Sequence, residues 1–186
     1  MRFEIEFHTP FRVASGQAGD GSDTTVDRHL LLPASSLKGV TRSAARDLLQ
    51  FPPGLVDEVF GTGRQPSPWS WSDATVTGSG GHGPDVRPRA RIRIEPHTGT
   101  VAPGALLIAD EVLAARGEFT IDRCGWIPGD TSRHQTVLMA AARAVTGIGG
   151  DRRRGLGWVT ITPADPQWSD TILEAALLLA GGGADD

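Results

Sequence analysis

The chain has 186 residues, 39% of them hydrophobic, and a formal net charge of −4. That is enough apolar material for one folded domain with its own core, and it excludes a disordered chain. No apolar run approaches the roughly 18–20 residues needed to span a bilayer, and the start lacks the apolar block of a signal peptide, so a cytoplasmic protein without membrane contact is expected. The single cysteine, Cys124, excludes an internal disulfide. A negative net charge disfavours nucleic acid only if charge is spread evenly. Here Lys and Arg concentrate in Lys38–Arg46, Arg87–Arg93 and Arg152–Arg154.

In chain order, residues 2–8 (RFEIEFH) alternate apolar and polar side chains and predict a strand with Phe3, Ile5 and Phe7 on one face. A polar, Gly-rich loop follows over 15–27. Ser35 and Ser36 are candidate N-caps for a helix running to about Gln50, with Pro52 and Pro53 as its stop. Residues 61–91 are rich in Gly, Pro and Ser, broken by a short strand candidate, WSWSDATV; TGSGGHGPDVRPR within them reads as a mobile loop or its base. IRIEPHTGTVAPGALLIADEVL predicts two strands around a turn at His97–Gly99, and GEFTIDRCGWI another strand. A second helix is expected over 131–145, where Val137, Ala141 and Val145 are spaced by four. GIGGDRRRGLG is a Gly-rich loop, WVTITP a strand, and residues about 170–180 a C-terminal helix before a frayed GGGADD tail. Two helices on an antiparallel sheet predict an α+β, ferredoxin-like (RRM-like) core over 1–186, with insertions at about 61–104.

Two constellations carry chemistry. In SSLKGVTRSAARDLLQ, Lys38, Arg42 and Arg46 follow one another at four-residue spacing, which places three cations on one helical face. Ser35 and Ser36 add hydroxyls beside the free N–H groups of a helix N-terminus, a pattern suited to phosphate. In GIGGDRRRGLGW, Gly149 and Gly150 allow a close backbone approach, and Arg152, Arg153 and Arg154 supply forked donors for phosphate oxygens. The loop is neither a Walker loop nor a dinucleotide fingerprint. A solvated basic face and a flexible arginine loop are the plain alternatives. The histidines are scattered and none pairs at zinc-ligand spacing, although His97 falls at the predicted hairpin tip, where it can touch nucleotides.

LPASSLKGVTRSAARDLL, VFGTG followed by WSWSDA, IRIEPHTGTV and GIGGDRRRGLGWVTI occur in this order over residues 3 to about 162. Together they resemble the RAMP superfamily of CRISPR-associated proteins, most of all the repeated backbone subunit of type III effector complexes. The resemblance implies a ferredoxin-like core with an inserted thumb hairpin and a C-terminal glycine-rich loop. It also implies guide RNA, target RNA, other CRISPR complex subunits and further copies or paralogues of the chain as partners. In such subunits an Asp in the loop before the Ser-Ser-Leu-Lys-Gly helix cuts target RNA with a divalent metal. That loop here is GDGSDTTVDRHLLLP, with Asp20, Asp23 and Asp27, and Asp23 matches the cutting position best while Asp27 matches a structural one.

On this expectation Asp23 is catalytic and a Mg²⁺ or Mn²⁺ ligand, assisting attack of the 2′-OH on the adjacent phosphate. Read from the residues alone, the three acids are solvated loop carboxylates or turn formers. Two rival functions stand beside it: a non-catalytic RNA-binding scaffold subunit, and a guide-RNA processing endoribonuclease of the same superfamily. The latter class usually joins two ferredoxin-like halves, for which the chain is short. A small-molecule enzyme is the remote alternative, since no cofactor fingerprint is present.

Overall fold

In β1 (Arg2–Phe7) the alternation buries Phe3, Ile5 and Phe7 and turns Glu4 and Glu6 to solvent. The structure, a computed structural model, describes residues 1–19, 21–127 and 130–181. Asp20 and the expected tail beyond Gly181 lie outside the described residues. β1 pairs antiparallel with β6 (Arg116–Arg123) on one side, Phe3 opposite Phe119, and with β7 (Val159–Asp165) on the other, Ile5 opposite Ile161. Two short strands, β2 (Trp69–Trp71) and β3 (Thr75–Thr77), cover the outer edge of β6 end to end. With β2 and β3 counted as one broken strand, the order is β2/β3–β6–β1–β7.

Helix α1 (Ala34–Ser43) connects β1 to β2, and α3 (Ser132–Ala144) connects β6 to β7. Leu37 of α1 and Val137, Leu138 and Ala141 of α3 join the inward residues of the sheet in one apolar core. This is the split β-α-β order of a ferredoxin-like core. Within the core the Phe3 ring stacks on Phe119 at 5.0 Å, and Trp71 stacks on the other side of Phe119 at 5.9 Å.

The break between β2 and β3 has a local use. Ser72 Oγ accepts the Thr120 N–H at 2.9 Å, which holds the turn on β6. Asp73 Oδ1 then accepts the Ala34 N–H at 2.8 Å, capping α1 from a distant segment. The N-cap position itself is Pro33, whose side chain has nothing to offer a free N–H. Ser35 and Ser36, expected as caps, lie instead inside the first turn.

Two further expectations are corrected, and one helix is added. The first helix does not continue regularly to Gln50: after Ser43 it passes into a π-helical turn over Ala44–Leu48, with Leu49 N–H reaching Ala44 O at 3.0 Å. The first helical run does end ahead of the proline pair, at Leu48, but Pro53 then opens a second helix that the sequence did not suggest, α2 (Pro53–Phe60). At the first position of a helix the missing N–H costs nothing. The stretch read as a mobile loop holds strand β4 (Asp85–Arg91), which pairs along its whole length with β5 (Leu107–Leu113) in a separate two-stranded ribbon. Pro88 fits there because β4 has a free edge. Beyond the ribbon the chain continues as an arm, closed by an Ile94–Val101 bridge and the Glu95 N–H to Thr100 O bond, with His97 exposed at its end. The C-terminal helix α4 (Asp170–Gly181) follows β7.

His134 ties three elements together. Its ring is buried in α3, Nδ1 accepts the indole N–H of Trp69 in β2 at 3.2 Å, and Nε2 lies 3.7 Å from Glu58 of α2. Burial pushes the imidazole below the ordinary histidine range, and Glu58 opposes that only in part. The folded protein therefore binds this proton less readily than the unfolded chain. Stability is complete above the ordinary histidine pKa of about 6.5 and falls as pH drops below it. Urea midpoints measured at pH 7.5 and 5.5 should show a loss on acidification that is smaller in His134→Phe than in the wild-type protein.

Candidate nucleic-acid interface

Just past β1, Phe11 pairs with Val112 of β5, and Arg12 is carried into the interior with 5% of its surface exposed. A guanidinium cannot shed its charge, so burial there demands partners. It has them on three sides. Nε donates to the carbonyl of Asp110 at 2.7 Å, Nη1 donates to Asp151 Oδ2 at 2.9 Å, and Nη2 lies 3.5 Å from Glu111 Oε1. Arg91, at the end of β4, closes the ring from the other side, at 2.8 Å from Asp151 and 3.2 Å from Glu111. Arg89 adds a third cation at Glu111 Oε2, 3.2 Å away. The alternation Arg12–Glu111–Arg91–Asp151 thus joins the segment after β1, the β4–β5 ribbon and the Gly-rich loop.

The glycines of that loop serve the same junction. Gly150 N–H donates to Arg12 O at 2.8 Å. Gly149 and Gly157 both have φ in the left-handed region, +79° and +71°, and a Cβ on either would strike the carbonyl oxygen of Arg12 or of Ile148. The close backbone approach expected of Gly149 and Gly150 is therefore made to the protein's own chain. Asp151, also at positive φ, turns its carboxylate inward to Arg12 and Arg91.

What the loop leaves outside is cationic. Arg152, Arg153 and Arg154 form a short 3₁₀ turn, all exposed. Among the described residues the acid paired with them is Asp151, which is already held by the buried Arg12 and the half-buried Arg91 and lies 3.8 Å from Arg154. With His8, Thr146, Gly147 and Trp158 they line an open groove of about 870 Å³.

The predicted helical stripe is divided. Arg42 donates to Asp57 at 2.9 Å and Arg46 to its neighbour Asp47 at 2.7 Å, so both charges are answered inside the molecule. Arg46 belongs to the π-helical turn, where four-residue spacing no longer stacks side chains in line. The pairing pulls the Asp47 carboxyl down to about 2. Lys38 is half-buried, and burial, aided by the charge of Arg42, lowers its ammonium below the usual lysine range. Beside it Ser35 and Gly39 are exposed, with open space over Gly39. Lys38 and Arg42 are not among the residues that line the arginine groove.

Asp23 lies exposed at the edge of the ribbon, where its Oδ2 accepts the Ile108 N–H at 2.8 Å and its own N–H donates to Ile108 O at 2.7 Å. Asp27 accepts the His29 N–H at 2.9 Å, a local turn. Among the described residues no three His, Cys, Asp or Glu side chains converge as metal ligands. One carboxylate with an oxygen already bonded does not by itself fit a protein-held Mg²⁺ or Mn²⁺. Arg12, Arg91, Glu111 and Trp158 were not among the expected site residues. An isolated Arg next to a strand carries no signal in sequence, although the Asp before three arginines was visible.

A ferredoxin-like core with an inserted β-ribbon and a glycine-rich loop entering the last strand places the chain in a defined class of α+β proteins. The sequence matches the RAMP superfamily over residues 4–160, and the chain belongs to that superfamily. No curated protein matches it by sequence. Among solved structures the fold resembles a chain of the type III-B Cmr-beta complex in its apo state, with a TM-score of 0.64 and 13% identity over 86% of this chain and 95% of that one. It also resembles a chain of the type III-B Cmr-beta complex bound to cognate target RNA, with a TM-score of 0.59 and 19% identity over 87% of this chain. The match spans 58% of that second chain's length.

Glu111 is the acid on which the buried ring turns. Glu111→Ala leaves the buried Arg12 and the half-buried Arg91 with Asp151 as their one remaining shared carboxylate, and removing one partner of a buried pair costs roughly 3–5 kcal/mol. Arg89, whose side chain is 60% exposed, should cost no more than about 1 kcal/mol when changed to Ala. Thermal melts of the two variants check the contrast.

Proposed function

We propose that the chain is an RNA-holding scaffold subunit of a type III CRISPR ribonucleoprotein. The observation that carries this reading is the outward triad Arg152–Arg154 on a loop whose base is pinned by buried ion pairs. Free forked donors on a rigid support bind a phosphate backbone without an ordering cost. Membership of the RAMP superfamily and the likeness to a chain from a complex with cognate target RNA support it. In this reading guide RNA lies on the arginine loop, with Lys38, Ser35, Ser36 and Gly39 as a second backbone contact. The arm ending at His97 acts as the thumb that reaches toward target RNA, and neighbouring subunits or further copies of the chain extend the assembly.

The cutting role implied for Asp23 is the second reading. Asp23 Oδ1 accepts no hydrogen bond from another described residue and faces solvent, which favours it. Against it, the carboxylate is engaged as a clamp between the loop and β5. A mostly hydrated Mg²⁺ or Mn²⁺ would have to come with the RNA. A guide-RNA processing role has no specific observation in its favour.

Two experiments separate these readings. Changing Arg152, Arg153 and Arg154 together to Ala should weaken binding of any RNA sequence alike and flatten the salt dependence. The slope of log K against log[salt] should fall by as much as about 2 if each arginine holds one phosphate of a single strand. Unchanged affinity and slope would remove the loop from the interface. Asp23→Ala in the assembled complex should retain guide RNA and leave any metal-dependent cutting of target RNA unaltered. Loss of cutting with guide RNA retained would establish Asp23 as catalytic.

A further inference from the structure

We propose that Trp158 and Arg152–Arg154 form a subsite for one unpaired nucleotide of single-stranded RNA, its base stacked on the indole and its phosphates held by the arginines. This rests on the RNA-binding reading and adds a base-binding element to it. Trp158 is 56% exposed although it stands next to β7, where the inward residues Val159 and Ile161 are buried. The ring is not loose. Its backbone N–H donates to Thr9 Oγ1 at 2.9 Å, its carbonyl accepts the His8 N–H at 2.9 Å, and its indole N–H points at the Arg152 carbonyl, 3.4 Å away. One edge of the indole is thus tethered to the arginine turn while much of the ring remains open. A tethered aromatic surface beside three exposed guanidiniums, with only a long Arg152–Gly147 contact at 3.5 Å and a 3.8 Å Arg154–Asp151 approach holding them, matches the two halves of a nucleotide, a π-face and a polyanionic backbone.

A strand rather than a free mononucleotide fits the shape. His8 lines the arginine groove and also the adjoining groove of Ser79, Asp85 and Arg87, so the two share a wall. Its ring is fixed in that wall by a 2.8 Å contact between Nε2 and Thr160 Oγ1. The open face of the sheet below carries Glu4, Glu6 and Glu118. With Asp73 they outnumber the cations Arg2 and Arg116 there, so this face stays net negative and the strand crosses the end of the sheet at Trp158 instead of running down it.

The test uses the full chain with a fluorescein-labelled single-stranded oligoribonucleotide, inorganic polyphosphate as a probe without bases, and ATP as a free nucleotide. Trp158→Ala should weaken oligoribonucleotide binding by roughly 5- to 150-fold and leave polyphosphate binding unchanged. Trp158→Phe, which keeps a stacking face, should stay within about 3-fold of wild type for both. Arg152→Ala/Arg153→Ala/Arg154→Ala should weaken both probes. Binding of the oligoribonucleotide should quench tryptophan fluorescence in the wild-type protein and much less in Trp158→Phe. If Trp158→Ala binds the oligoribonucleotide as tightly as wild type, the subsite is overturned while the RNA-binding reading stands. If ATP binds as tightly as the oligoribonucleotide, the occupant is a free nucleotide and the proposal for a strand fails. If wild-type protein binds no RNA, both readings fall together.

Discussion

Arg12 cannot lose its proton and cannot reach water. Everything that surrounds it follows from that constraint. Two carboxylates, Glu111 and Asp151, and the Asp110 carbonyl converge on it, and each comes from a segment remote in sequence. Arg91 then balances the two acids. A buried pair of this kind is weak evidence for added stability, because desolvation offsets much of the Coulomb gain. What it supplies is geometry, since an ion pair out of register would leave a bare charge inside. The ribbon, the Gly-rich loop and the segment after β1 therefore have one permitted arrangement. The loop that presents Arg152–Arg154 inherits its position from it.

The chain's negative charge and its cationic groove are compatible for the same reason. Asp151 and Glu111 spend their charge inward on Arg12 and Arg91, and Arg42 and Arg46 lose theirs to Asp57 and Asp47. Glu4, Glu6 and Glu118 are gathered on the open sheet face, where Arg2 answers two of them. Of the three consecutive arginines only Arg154 approaches a carboxylate, Asp151 at 3.8 Å, and that acid is shared with Arg12 and Arg91. Net charge averages over these separate local balances, and a ligand meets only the local one.

Sequence periodicity revealed the elements whose pattern is local. The alternation of β1 reads directly, and α3, expected over 131–145, is observed as Ser132–Ala144. It misled where a residue's meaning depends on position. Pro52 and Pro53 do follow the end of the first helix, but their second use, opening α2 where a missing N–H costs nothing, was not legible. Pro88 and the arginines around it hid β4, because an edge strand in a two-stranded ribbon needs neither a full ladder nor an apolar face. Of the site, the exposed arginines were legible as cations and the glycines as special backbone positions. Their use was not: the steric partner of Gly149 is the carbonyl of Arg12, far away in sequence. The role of Asp73 at the start of α1 was hidden likewise, because the two ends of that hydrogen bond belong to different elements.

β5 is where these threads meet, and it bears on what the Asp23 loop is for. Ile108 accepts the Asp23 N–H on its carbonyl and donates its own N–H to the Asp23 carboxylate. Asp110 accepts the Ser22 hydroxyl at 3.1 Å and gives its N–H to Thr24 at 2.9 Å. Glu111 holds the arginines, and Val112 pairs with Phe11. Four of the five positions 108–112 of this strand thus fix residues 11–12 on one part of the ribbon and residues 22–24 on another. The arm that ends at His97 grows from the same strand. The carboxylate of Asp23, the root of the arm and the arginine loop are consequently parts of one braced unit rather than independent loops. A unit of that kind keeps its exposed groups at set distances from one another whether or not any residue in it cuts. That gives Asp23 a structural use independent of catalysis, which is why the scaffold reading requires only its hydrogen bond to Ile108.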